Sequence, residues 1–155
     1  MKKTTLLLLA SAAAGALTGC GTDKKAQDPQ PGRSRSELLM AKTWSITAET
    51  ETIGGKTRDV LAENYAACEL DNTTSFLAGG IMRYDQGTVQ CDADEPRTVT
   101  GNWALSEKDT KLTFVVAGFG NQSKIEELTE SKMVLSQTET FNNQTVATRV
   151  TFAGR

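Results

Sequence analysis

Residues 98–116 read TVTGNWALSEKDTKLTFVV. In the first half, Val99, Gly101, Trp103 and Leu105 fall on one side of an extended chain. In the second half, Leu112, Phe114 and Val116 do the same. A period of two is the signature of a strand with one buried face. Ser106, Glu107 and Lys108 lie between the halves as a turn, so the stretch predicts two antiparallel strands.

The same pattern recurs outward. TWSITAET (43–50) places Trp44, Ile46 and Ala48 on one face and Ser45, Thr47 and Glu49 on the other. Gly54-Gly55 supplies a hairpin turn. TTSFLAGGIMRY (73–84) reads as strand, Gly79-Gly80 turn, strand, and GTVQC (87–91) as a further strand after a turn at 85–87. Gly118–Asn121 forms a turn leading to SKIEELT (123–129). KMVLSQTE (132–139) alternates Met133 and Leu135 with polar residues. Asn142-Asn143 is a turn signal, and TVATRVTF (145–152) puts Val146, Val150 and Phe152 inward and Arg149 outward. Residues 58–67 are ambiguous between helix and an irregular crossing. A short helix is predicted over Ser36–Ala41, because Ser34-Arg35-Ser36-Glu37 fits the capping pattern S-x-x-E. Eight to ten short strands with short connections predict an all-β antiparallel meander, closed as a barrel or folded as a sandwich.

The N-terminus has a different composition. Lys2 and Lys3 precede residues 6–17, which hold only Leu, Ala, Ser and Gly. That run falls short of the roughly 20 apolar residues of a membrane-spanning helix and fits the core of a secretory signal. It ends Leu17-Thr18-Gly19-Cys20, which resembles the lipobox of bacterial lipoproteins. The resemblance implies lipidation at Cys20 and cleavage that removes 1–19 as a signal peptide. Gly21, rather than aspartate, follows the cysteine, which by the same resemblance favours the outer membrane, in its periplasmic leaflet or at the cell surface. Residues 20–35, with two prolines and several charges, read as a flexible tether, with a reach of about 20 Å. The domain is then 36–155.

Cysteine parity follows from that resemblance. The chain has three cysteines; with Cys20 acylated, Cys68 and Cys91 remain as a pair in an oxidising compartment, and a disulfide is expected. Two buried free thiols are the alternative.

Composition narrows the function classes. There is no histidine, which removes a His base or zinc ligand. With the cysteines assigned as above, no thiol nucleophile is expected, and no S-x-x-K motif has helical context. No enzymatic activity, cofactor or metal is therefore expected. Asp92, Asp94 and Glu95 cluster, but without the spacing of a calcium loop they read as a solvated loop. No basic stretch marks a nucleic-acid partner.

Taken together, Trp44-x-Ile46, CELDNTTSFLAGG (68–80), YDQGTVQC (84–91), GNWALS (101–106), Leu112-x-Phe114, IEELTESKMVLS (125–136) and TVATRVTF resemble the lipocalin-like domain of Bacteroidetes-type lipoproteins over residues 37–155. The resemblance implies an up-and-down barrel of about eight strands with a short N-terminal helix, and no particular ligand. Lipocalins also set a late arginine across an early tryptophan, which raises a stack of Arg149 on Trp44, although the alternation points Arg149 outward. The aromatic residues Trp44, Phe76, Tyr84, Trp103, Phe114 and Phe152 either line an apolar cavity or fill a core. Tyr84 is the best cavity candidate, because a buried hydroxyl needs a partner. The expected partners are the membrane, through the lipid anchor, with either a small apolar ligand inside the barrel or an envelope protein docked on its surface. Inhibition of a hydrolase is a third reading.

Overall fold

The computed structural model describes residues 32–116 and 118–155. The expected signal peptide, the expected lipidation site Cys20 and most of the expected tether lie outside the described residues. Nine strands follow a short helix: α1 (Arg35–Met40), β1 (Thr43–Ile53), β2 (Lys56–Asp59), β3 (Thr73–Leu77), β4 (Ile81–Asp85), β5 (Thr98–Ser106), β6 (Lys111–Val116), β7 (Phe119–Leu128), β8 (Lys132–Phe141) and β9 (Gln144–Gly154). Between β2 and β3 the chain forms a one-turn helix, α2 (Leu61–Asn64), and a 3₁₀ turn (Ala67–Glu69).

Neighbouring strands pair antiparallel from β3 through β9, and β9 pairs back onto β1 from Trp44↔Gly154 to Ile53↔Val146. β1 meets β3 at Thr43↔Ser75 and Trp44↔Thr74, which closes an eight-strand barrel. β2 lies outside that ring as a ninth strand, paired with the far half of β1. Closure removes the exposed edges that an open meander would leave.

The hairpins follow the turn chemistry. Gly54 and Gly55 both take positive φ (56° and 79°), as do Asn142 and Asn143 (49° and 61°), the conformation of two-residue hairpin loops. Gly101 is required for another reason: a Cβ there would stand 2.0 Å from the Val115 carbonyl oxygen, in the paired strand β6. It is glycine because β5 and β6 approach too closely for a side chain.

Several expectations are corrected. The helix begins at Arg35, with Ser34 as its cap in a reciprocal box with Glu37. Residues 33–35 therefore belong to the domain and not to the tether: Arg33 pairs with Glu130 at 3.0 Å and Arg35 donates to the Asp109 carbonyl. A bulge between Ile46 and Ala48 reverses the parity of β1, so Glu49 is buried instead of outward. GTVQC is no strand; residues 86–97 form an irregular loop. Val89, 57% exposed, is its lone large apolar residue and has no face to bury. The turn after β6 is shorter than 118–121, since β7 begins at Phe119. Arg149 is exposed and pairs across β1 with Thr50, while Trp44 lies opposite Gly154, so no stack forms.

The strand directions give the barrel two different ends. The turns after β5 and β7 lie at one end, where α1 packs with Leu38 and Leu39 fully buried. The β1–β2 and β8–β9 turns lie at the other, which the segment 60–72 crosses. Among the described residues no helix is long and apolar enough to cross a membrane.

Candidate ligand cavity

Inward positions of the strands do not fill the barrel. They leave a cavity of about 420 Å³, inside the ~300–1,000 Å³ typical of small-molecule sites. Trp44 stands in its wall near the closed end, held by its indole N–H, which donates to the Leu39 carbonyl of α1 at 2.9 Å. Phe76 and Met82 come from β3 and β4, Phe114 from β6, Met133 from β8 and Phe152 from β9. Each side chain is there because period two puts every second residue of its strand inside.

Of the six aromatic residues that the sequence offers for a cavity or a core, five line the cavity: Trp44, Phe76, Tyr84, Phe114 and Phe152. Trp103 does not, which corrects that expectation. It packs edge-on against Phe76, ring centroids 5.5 Å apart, and its indole donates to the Leu77 carbonyl at 2.9 Å. It buttresses the wall and instead borders an outer groove beside Met40.

Polar groups gather on the side of the crossing segment. Tyr65, Glu69 and Asn72 line the cavity from there. The Asn72 amide donates to the Tyr84 hydroxyl at 2.5 Å, which is the partner a buried phenol requires. Burial pushes the Tyr84 hydroxyl above its ordinary range, and the Asn72 hydrogen bond opposes that only in part. Asn72 is 8% exposed, and its own carbonyl oxygen is buried without a hydrogen-bond partner.

A second chamber of about 170 Å³ adjoins the first and shares Tyr65, Phe114, Asn121, Leu135 and Phe152 with it. Apart from Val150, its remaining lining is polar: Glu49, Ser123, Ser136, Gln137 and Thr148. Glu49 is 7% exposed and accepts from the Asn64 amide at 2.9 Å. Tyr65 is pushed strongly upward, first by burial and then by the Glu49 charge and a hydrogen bond to it.

The crossing segment is stapled in place. Cys68 and Cys91 form the expected disulfide, with Cα atoms 5.4 Å apart, joining the segment to loop 86–97. Asp71 adds to it by accepting from the backbone N–H of Thr88 at 2.8 Å and from the Thr88 hydroxyl. These hydrogen bonds hold the Asp71 carboxyl below the usual carboxylate range. Gly87 allows the approach: a Cβ there would lie 2.5 Å from the Asp71 carboxylate. The acidic residues Asp92, Asp94 and Glu95 are exposed on the same loop, and among the described residues no three potential ligands converge as a metal site requires.

Sequence reasoning missed Glu49, Tyr65, Glu69 and Asn72. Glu49 was hidden by the bulge. The other three lie in or beside the stretch whose structure was ambiguous. The nearby Cys68 was the one signal that this stretch is held against the barrel.

The fold and the site define a class: closed eight-strand antiparallel barrels with an interior chamber. Residues 40–135 match the family described as the lipocalin-like domain, and the chain belongs to that family. No curated protein matches the chain. The lipocalin-like fold is typically one of binding and not of catalysis.

Proposed function

We infer that this protein is a lipid-anchored carrier or sensor of the bacterial envelope that holds a small, largely apolar ligand in its barrel, without catalysing a reaction. The observation that carries the reading is the cavity of about 420 Å³ with its aromatic and methionine lining. The lipobox-like Leu17–Cys20 and the signal-like residues before it support anchoring at the outer membrane. A docking module or a hydrolase inhibitor needs no interior space, so the cavity favours the carrier over both.

The test is uptake of an uncharged apolar fluorophore, N-phenylnaphthylamine, by the whole chain. We expect one probe per barrel, and at least tenfold weaker uptake by Val116→Trp, whose indole would occupy the chamber, with an unchanged circular dichroism spectrum. No uptake by the unmodified chain would sink the reading. Equal uptake by the folded variant would place the probe elsewhere.

A further inference from the structure

The charge inside the barrel is one-sided. Among the described residues, Glu69 lines the larger chamber and Glu49 the smaller, and neither chamber is lined by a lysine or arginine. Glu49 is 7% exposed. Its side-chain hydrogen-bond partner is the neutral Asn64 amide at 2.9 Å, and Tyr65 lines the same chamber. A carboxylate withdrawn from water is expensive unless an opposite charge and hydrogen bonds compensate it. Here one hydrogen bond is present and, among the described residues, no lysine or arginine lines either chamber.

The interior thus offers negative charge beside an apolar chamber. An ammonium group is the complement: three donors, no acceptor and one positive charge.

We propose that the ligand is an amphiphilic amine, with its apolar body among Trp44, Phe76, Phe114 and Met133 in the larger chamber and its ammonium head toward Glu49 in the adjoining smaller one. The proposal rests on the carrier reading and specifies its ligand. An alkyl carboxylate would bring a like charge toward Glu49, and an alcohol would leave that charge uncompensated.

The experiment is displacement of bound N-phenylnaphthylamine from the whole chain by decylamine, decanol and decanoate, which share a tail and differ in head. We expect decylamine to displace at a concentration at least tenfold lower than either of the others. Glu49→Gln should remove most of that advantage and leave decanol unchanged. Equal displacement by all three would overturn the amine assignment and leave the carrier standing, as would a preference for decanoate. An advantage that survives in Glu49→Gln would remove Glu49 as the pairing group. Should that variant fail to fold, the ranking on the unmodified chain still decides the head group. Failure of the fluorophore itself to bind would instead sink the carrier and this proposal together.

Discussion

Tyr65 and Tyr84 are the chain's two tyrosines, and both line the cavity. Burial raises the titration of each, and at Tyr65 the Glu49 carboxylate raises it further. The sign follows from the neutral form being the favoured one. A phenol held above its unfolded value of about 10 contributes stability that is present below pH 10 and lost as pH rises through the folded value. We expect absorbance near 295 nm to show well under half of the phenols ionised at pH 10.5 in the folded chain, and more than half in urea. Half-ionisation with the β-sheet circular dichroism intact would mean that these rings are open to solvent. The two tyrosines also show how far single residues were legible. Tyr84 stands out in the sequence because a buried hydroxyl needs a partner. Tyr65 does not, because its segment has no period, and its importance comes from Glu49, whose orientation a bulge reverses.

At the scale of elements, local chemistry was legible and tertiary staples were not. The S-x-x-E cap set the start of α1 within a residue. The glycine and asparagine pairs set two hairpins, because their backbone angles suit few other residues. Loop 86–97 was misread because its shape comes from contacts distant in sequence, Asp71 with Thr88 and Cys68 with Cys91. The crossing segment it holds has little core of its own: α2 buries no residue, and neither does the 3₁₀ turn. The disulfide should therefore matter more there than in the sheet. Its bridged residues are 23 apart, and the chain-entropy model gives about 3.5 kcal/mol for such a loop. The double variant Cys68→Ser, Cys91→Ser should lose roughly 2–4 kcal/mol in urea unfolding. Amide exchange should quicken first at 61–72, while β7 to β9 stay protected. A loss below about 1 kcal/mol, or exchange spread evenly over the sheet, would show that the staple is dispensable.

For the whole molecule, strand number and antiparallel order were legible, but the placement of β2 outside the ring was not. Alternation gives each strand a buried face and says nothing of which strand closes on β1. Closure in turn fixes where the chain enters. Arg33 is tied to Glu130, in the turn after β7, and Arg35 to Asp109, in the turn after β5. Both turns are at the α1 end, opposite the end crossed by residues 60–72. A barrel anchored through Cys20 would be attached by its α1 end, with the Glu49 and Tyr65 side turned away from the bilayer. Ligand would then reach the polar side of the cavity from the aqueous compartment and not directly from the lipid. We expect N-phenylnaphthylamine supplied in solution to enter the lipidated chain on phosphatidylcholine vesicles, after correction for partitioning into lipid, within about twofold of its rate into the same chain lacking the lipid. Deleting residues 22–30 should leave that ratio unchanged. A tenfold slower rate on vesicles, made worse by the deletion, would mean that the entrance faces the membrane and that the barrel hangs the other way round.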